Sequence, residues 1–403
     1  MNSNMGTRQN QAVLFFGAGQ LQRSIIEKAN ALGLFTVAID PDKNAYAKSI
    51  PDVFEVVNGD DYHKTLRIAR KHKVSSVLTA ATDKPLVMMA RVAASLHLPF
   101  YSVATAQKSV DKLLQKECFI RCGVPCAKGI LLTRNVLKHA ESLDLAFPLV
   151  IKPRDNSGSR GVVFCRDRTN LVECLAEAFK HTKLDTVLAE EYIDGKEYSI
   201  ESLHYGGSSK IIQFTEKITT PLPYNVELGH IQPAELSEIQ IAQIAVIINR
   251  MAAAFQFDHC ASHTELKINT LGIWIIETSP RLGGDQITST LTPLSTGINM
   301  EEALISISLG LSPNLNAAHL NKCSMIRYFN LPSGLTIRNV DDITNLRNRD
   351  GVTSLTFTLM KGSNTPIIKN SLDRYGDIVL TAQTREALSA KYDSFIRALR
   401  NVL

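Results

Sequence analysis

Ala12 to Phe16 is an uninterrupted apolar run that stops at Gly17-Ala18-Gly19. A helical pattern follows from Gln20 to Leu32. Then comes Gly33, and a second apolar run from Phe35 to Ile39 that ends at Asp40. Strand, glycine turn, helix and strand in this order make a βαβ unit with a parallel sheet. The alternation continues: Tyr62 to His72 and Pro85 to Leu96 read as helices, with Val74 to Leu78 a strand between them. An α/β domain with a parallel sheet is predicted over residues 1–105.

From Thr105 the rhythm changes. Gln107 to Arg121 reads as one helix carrying Asp111, Lys112 and Lys116, stopped by Gly123-Val124-Pro125. Phe147 to Lys152 is a strand closed by Pro153. A polar glycine-rich loop, Asp155 to Gly161, leads into a strand from Val162 to Cys165. A helix over Leu171 to Phe179 and a strand over Val187 to Ile193 come next. Glu197 to Leu203 and Ile211 to Glu216 then alternate as antiparallel strands. Glu235 to Phe257 is a long amphipathic helix with Ile241, Ile244, Ala245 and Ile248 on one face. The strands Ala261 to Ile268 and Ile273 to Glu277 flank a turn at Asn269-Thr270-Leu271-Gly272. After Ser312-Pro313-Asn314 a last α+β stretch follows.

A length of 403 residues implies two to four domains. The 44 Lys and Arg against 39 Asp and Glu leave a net charge of only +5, spread along the chain. That argues against nucleic acid, which calls for a concentrated basic patch. No stretch approaches the run of about 18 apolar residues that spans a membrane. Met1 to Gln11 is polar and lacks the apolar core of a signal peptide, so a cytoplasmic protein is expected. The seven cysteines include Cys118, Cys122 and Cys126 at every fourth residue, but Gly123 and Pro125 interrupt any shared helix face. Reduced thiols are the expectation in that compartment.

Four segments carry candidate chemistry. Gly17-Ala18-Gly19-Gln20-Leu21-Gln22 opens like a dinucleotide fingerprint, with Asp40 where a ribose-binding acid would sit. Gln22, however, stands where the third glycine would allow close packing under a pyrophosphate. The segment reads as a tight βα turn or as a turn facing a small substrate; a nicotinamide oxidoreductase rests on Gly17 and Gly19 alone. Ser157-Gly158-Ser159-Arg160-Gly161, with Lys152 upstream, can bring backbone amides and a fixed positive charge to phosphate oxygens. A strand rather than a helix follows it, so a hairpin over phosphates fits better than a P-loop; a plain turn is the competing reading. Glu190-Glu191-Tyr192-Ile193-Asp194-Gly195, followed by Glu197, joins two strands through a glycine turn, as a hinge meeting an adenine edge or as an exposed acidic turn.

Glu265 and Glu277 form the strongest constellation. Counting outward from the turn at 269–272 places them opposite or nearly opposite each other, side chains roughly 5 Å apart on one face. Two such carboxylates repel unless a proton or divalent cation lies between them. Trp274, Ile275 and Ile276 make this strand largely buried, which favours a metal over a solvated hairpin. Oxygen ligands completed by phosphates and water suit magnesium.

In this order these segments resemble the ATP-grasp superfamily over residues 12–310. The matching parts are Ser109-Val110-Asp111-Lys112, Val150-Ile151-Lys152-Pro153 with its glycine loop, Glu190 to Gly195, and Glu265 with Glu277 and Arg281. Arg281-Leu282-Gly283-Gly284-Asp285 and His230-Ile231-Gln232-Pro233-Ala234 look most like the carboxylate–amine ligases that join amino acids. Gly17 to Arg23 looks like the N-terminal domain of carboxyaminoimidazole synthases, and Asp373-Arg374-Tyr375-Gly376 resembles the small C-terminal domain of the same ligases. The resemblance implies an N-terminal domain at 1–105, an ATP-grasp domain at 106–310 with a lid at about 120–195, and a C-terminal α+β domain at 311–403.

It further implies ATP and Mg2+ (Mn2+ as substitute), with small-molecule carboxylate and amine substrates. The N-terminal sheet and the tail both offer surfaces for a homodimer. Lys112, Lys152, Ser157, Gly158, Ser159 and Gly161 would hold phosphates, Glu190 to Ile193 the adenine and Glu197 the ribose. Glu265 and Glu277 would bind metal. Arg281 would stabilise an oxyanion, His230 would meet the substrate carboxylate or the amine, and Arg281, Gly283, Gly284 and Asp285 would line the substrate. Many family members have Asn where this chain has Ser279, a weaker metal ligand. A carboxylase activating bicarbonate and a non-catalytic ATP-binding regulator are the alternative activities.

Overall fold

The computed structural model describes residues 11–138, 145–316 and 320–402, so Met1 to Asn10, the start of the polar segment discussed above, lies outside the described residues. The N-terminal unit comprises β1 (Ala12–Phe16), α1 (Arg23–Ala31), β2 (Phe35–Asp40), β3 (Val53–Val56), α2 (Tyr62–Lys71), β4 (Val74–Leu78) and α3 (Leu86–Leu96). Its four strands are all parallel in the order β3-β2-β1-β4. All five residues of β1 are buried, as a parallel strand covered on both faces requires. β3 carries no distinctive apolar run, and the hydrophobic pattern does not predict it.

The helix expected over 107–121 is two helices, α4 (Val103–Val110) and α5 (Lys112–Arg121). Asp111 is extended between them, and its carboxylate accepts from the amides of Leu113 and Leu114. A short polar side chain at this position caps a new helix in preference to continuing an old one. Both carboxylate oxygens of Asp111 also take Arg154, at 3.2 and 2.6 Å. The cap thus ties Lys112 to the chain that leaves the first strand of the glycine-loop hairpin for its loop.

That hairpin belongs to a second sheet, of β5 (Gly129–Thr133), β6 (Leu149–Pro153), β7 (Val163–Cys165) and β8 (Thr186–Glu191) in the order β5-β8-β6-β7, backed by α6 (Leu171–Lys180). It has a core of its own, including Leu149, Ile151, Leu171, Leu175 and Val187.

The third sheet has eight strands. β9 (Lys196–Tyr205), β10 (Ser208–Thr219) and β11 (Glu227–Gln232) precede α7 (Glu238–Phe255), and β12 (Cys260–Asn269) and β13 (Gly272–Ser279) follow it. α8 (Thr292–Thr296) and α9 (Met300–Ser308) lead to β14 (Cys323–Tyr328), α10 (Val340–Asn345), β15 (Val352–Phe357), β16 (Gly376–Ala382) and α11 (Arg385–Val402). The strand order is β13-β12-β9-β10-β11-β14-β16-β15, antiparallel throughout. The three strands after residue 311 therefore extend the central sheet.

α7 buries Ile244, Ile248, Met251 and Phe255, whereas Ile241, expected on the same face, is exposed. Among the described residues it is the one helix apolar and long enough to cross a membrane by composition and length, and it packs against β10, α4 and α5, its buried side chains sharing one core with the N-terminal unit.

His204 sits inside the central sheet, its two ring nitrogens 2.8 Å from the hydroxyls of Ser209 and Ser262. Burial pushes its pKa down to about 4. The unfolded chain takes up this proton near pH 6.5 and the folded chain only near 4. His204 therefore contributes full stability above about 6.5 and loses it as pH falls through that window, by roughly 3 kcal/mol. The expected outcome is a His204 ring titration midpoint near 4 by NMR; a midpoint at or above 6.5 contradicts it.

Candidate active site

The β12–β13 hairpin pairs Glu265 directly with Glu277. Next to the turn the register runs Asn269 to Gly272 and Leu266 to Ile275, and a bulge between Glu265 and Leu266 shifts it so that the two acids meet. A bulge in this position re-aims side chains at a functional edge. Each acid is capped by a lysine from another element: Lys217 of β10 lies 2.9 Å from Glu265, and Lys112, the first residue of α5, lies 2.7 Å from Glu277. Burial would lower the Lys217 pKa, but Glu265, Glu227 and Glu197 outweigh it and raise it well above the ordinary lysine range.

No group of three or more His, Cys, Asp or Glu arranged around a metal position occurs among the described residues. Two facing carboxylates nevertheless fit magnesium, which takes one or two protein carboxylates and completes its shell with phosphates and water. Ser279 lies next to His263 across the hairpin, but its hydroxyl donates to Asp83 at 2.5 Å.

A cavity between the second, four-stranded sheet and the central sheet gathers most of the residues expected around a nucleotide. Lys112, Lys152, Ser157, Gly158, Ser159, Glu190, Glu191, Tyr192, Ile193 and Glu197 all line it. Gly161 does not: a Cβ there would strike His181 and Pro153, and its φ of +77° explains the glycine.

Glu190 is a buried ion-pair centre, held between Lys152 and Lys116, the latter at 2.7 Å. Burial would raise its pKa, but the two lysines hold it below the usual carboxylate range. Two ammoniums on one carboxylate leave a unit of positive charge beside the glycine loop. Glu191 accepts from the Lys128 amide at 2.7 Å, and the Tyr192 amide donates to the Pro148 carbonyl. Glu197 accepts from Asn225 at 2.8 Å and pairs with Lys267 at 3.1 Å. Lys267 also lies 4.7 Å from the centre of the Tyr192 ring.

A second, adjoining cleft of about 700 Å³ runs from Glu265 and Glu277 to the N-terminal unit, and Ser157, Gly158 and Ser159 line both spaces. Arg281, Gly284, Asp285 and His230 face it. Arg281 is paired with Asp83 at 2.8 Å. Asp285 accepts from Arg374 at 2.7 and 2.9 Å and lies 3.2 Å from the His230 ring. These partners outweigh burial and hold Asp285 well below the carboxylate range. Asp285 and Gln286 are both left-handed, at φ +49° and +59°, a strained pair of a kind that gathers at functional sites. Arg374, 3.8 Å from the centre of the Tyr328 ring, brings the tail into the cleft.

Gly283 packs behind the cleft, over a buried pair in which His263 lies 2.7 Å from Glu201 and 3.3 Å from Glu265. Burial would lower the His263 pKa; Glu201 outweighs it and raises it to about 9. Gly17 and Gly19 also line this cleft, but the amides of their turn are already occupied. The Ala18 and Asp42 amides are both taken by Asp40, and the Gly19 amide by Gln22.

Sequence reasoning did not single out Lys217, Lys267, Asp83, Glu201 or His263, and placed Lys116 and Arg374 in motifs without a role. Lysines and acids on long strands look like solvated positions until the partner strand is known. His263, two residues before Glu265 on the same strand face, carried the one usable signal.

Residues 145–289 match the ATP-grasp domain family. Over 377 residues, 91% of this chain and 77% of the relative, the sequence is 24% identical to the uncharacterized protein y4rH of Sinorhizobium fredii. The structure superimposes with a TM-score of 0.81 on L-amino acid ligase from Bacillus licheniformis, at 20% identity over 97% of this chain and 98% of that one. It superimposes with a TM-score of 0.74 on N5-carboxyaminoimidazole synthetase from Staphylococcus aureus complexed with ADP, at 16% identity over 96% and 97%. At these identities the structural likeness is one of fold.

A Cβ on Gly283 would lie 2.8 Å from His263 Nδ1 and 2.9 Å from Glu201 Oε2, both held in place. Gly283→Ala is expected to lower stability in denaturant unfolding by about 1–3 kcal/mol. An unchanged midpoint would mean that the loop has room to shift.

Proposed function

With an ATP-grasp domain at its centre, this chain is, we propose, an ADP-forming ligase that joins a carboxylate to an amine through an acylphosphate, with an amino acid among its substrates. The observation that carries the reading is the lysine-capped Glu265–Glu277 pair, set between a lysine-lined cavity and a second cleft that Arg281 faces. The likeness to L-amino acid ligase supports it.

In this reading ATP lies between the lid sheet and the central sheet, with Ile193 and its neighbours on the adenine. Lys152, neutralised only in part because it shares Glu190 with Lys116, presents positive charge to the phosphates. Lys112 does the same from the N-terminus of α5. Glu265 and Glu277 would hold magnesium, which when bound neutralises charge on the transferring phosphoryl group. A substrate carboxylate oxygen attacks the γ-phosphorus, ADP leaves, and the amine then attacks the acyl carbon. Arg281 stabilises the tetrahedral oxyanion, phosphate departs, and the amine's proton is taken up in the cleft beside His230. The glycine loop, whose residues Ser157 to Arg160 lie against both spaces, closes over the acylphosphate and keeps water from it. All seven cysteines are free, in keeping with a reducing compartment such as the cytoplasm.

ADP and phosphate release, measured with Mg-ATP against amino acids singly and in pairs and with bicarbonate separately, tests the reading. Release that requires two amino acids is the expected result. Release with bicarbonate and one amine would instead assign the carboxylase chemistry that the second structural relative's name describes. Glu277→Gln keeps the shape but loses a ligand charge. It is expected to reduce turnover by at least about 10²-fold with an unchanged circular dichroism spectrum. Full activity in that variant would remove Glu277 from the metal site.

A further inference from the structure

Asp83 lies in the loop between β4 and α3 of the N-terminal unit, yet its half-buried carboxylate lies against the end of β13. Oδ1 accepts from Arg281 Nε at 2.8 Å and from the Ser279 hydroxyl at 2.5 Å, and Oδ2 accepts from Arg281 Nη2 at 3.2 Å. Arg281 Nη1 donates to the Leu282 carbonyl at 3.1 Å. Three of the five guanidinium N–H groups are thus committed to fixed acceptors, which sets the plane of the fork and leaves one N–H on each terminal nitrogen free.

The loop that carries Asp83 is itself held. Ala81 is left-handed at φ +57°, an uncommon state for a residue with a Cβ, and its amide donates to Leu282 O at 3.3 Å. The preceding carbonyl, of Ala80, accepts from Gln22 Nε2 at 2.6 Å, and Thr79 Oγ1 donates to Phe16 O at 2.7 Å. Gln22 is buried, and its other amide atom accepts from the Gly19 amide at 3.1 Å. The glutamine that stands where a dinucleotide fingerprint has its third glycine is therefore a strut from the glycine turn to the Asp83 loop.

We infer that Asp83 is a positioning residue for Arg281, and that Gln22, through Ala80, sets the loop from which Asp83 acts. The N-terminal unit then contributes to the chemical step without touching the nucleotide. Arg281's part in the reaction rests on the ligase reading, whereas its anchoring by Asp83 does not.

Two measurements on the full-length protein separate these. With 15N-labelled arginine, the Nε–H signal of Arg281, assigned from its loss in Arg281→Lys, is expected to exchange slowly with solvent. In Asp83→Asn it should exchange at least tenfold faster, and in Gln22→Ala by a smaller factor. An unchanged rate in Asp83→Asn overturns the anchoring whatever the reaction is.

Where turnover is measurable, Asp83→Asn is expected to lower kcat by about 10²-fold. ADP affinity by calorimetry should stay within twofold, a split that general loss of structure would not give. The double variant Asp83→Asn/Arg281→Ala should fall within threefold of Arg281→Ala alone, because one residue acts through the other. Losses that multiply in the double variant, or an Asp83→Asn protein that fails to bind ADP, would overturn the inference. If Arg281→Ala itself keeps full turnover while the exchange result holds, the anchoring stands and Arg281's role in the ligase reading fails.

Discussion

A carboxylate or ammonium taken out of water loses several kcal/mol of hydration, and only an opposite charge with good hydrogen bonds replaces it. The architecture around the cleft follows from this constraint. Glu190 of β8 is held between Lys116 of α5 and Lys152 of β6, and Glu277 of β13 is held by Lys112 of α5. Glu265 of β12 pairs with Lys217 of β10, Asp83 with Arg281, and Asp285 with Arg374 from the tail. In each case the partners come from different elements, often different sheets. No one segment can bury its charge alone, so charge neutralisation draws the N-terminal unit, the second sheet, the central sheet and the tail around a single space.

The pairing is uneven, and the unevenness has a direction. Beside the glycine loop two ammoniums share Glu190, an excess of positive charge suited to phosphate oxygens. Around the hairpin Glu197, Glu227, Glu265 and Glu277 face Lys112, Lys217 and Lys267, an excess of negative charge suited to a cation. A polyanion and a divalent cation arriving together would each meet a field of the opposite sign. Lys112 and Lys217 could turn from carboxylates to phosphates without leaving either charge bare. The same low-dielectric setting that makes an unpaired charge costly makes such an exchange of partners selective.

Much of this was legible in the sequence because it is written locally. The apolar run of β1, the glycine turn, the strand with Lys152 and the hairpin turn at 269–272 each lie within a dozen residues; counting away from that turn brings Glu265 and Glu277 to within one residue of facing each other, and the bulge completes the pairing. What escaped is non-local or turns on one side chain. The break between α4 and α5 depends on Asp111 choosing to cap, and Arg154 supports that choice from the far end of β6. Ile241 was placed on the buried face of α7 by periodicity, but the inner stripe follows Ile244, Ile248, Met251 and Phe255. Lys217 and Lys267 alternate along strands in a way that reads as solvent-facing until the neighbouring strands supply three glutamates.

Two positions where the chain departs from familiar patterns turn out to share one explanation. Gln22 replaces a glycine whose absence would spoil the packing of a pyrophosphate against a helix, and the structure fills that space with a side-chain amide gripping Ala80. Ser279 replaces the asparagine that the ATP-grasp resemblance leads one to expect beside the two facing acids, and its hydroxyl turns to Asp83. Both departures end on the same short loop, Ala80 to Asp83, from opposite sides. A glycine at 22 would leave the Ala80 carbonyl without its donor, and a longer amide at 279 would compete with Arg281 for the carboxylate of Asp83. Each substitution makes sense only in the presence of the other contact. The loop is therefore the point at which the N-terminal unit, read alone as a plain βα fold, becomes part of the cleft.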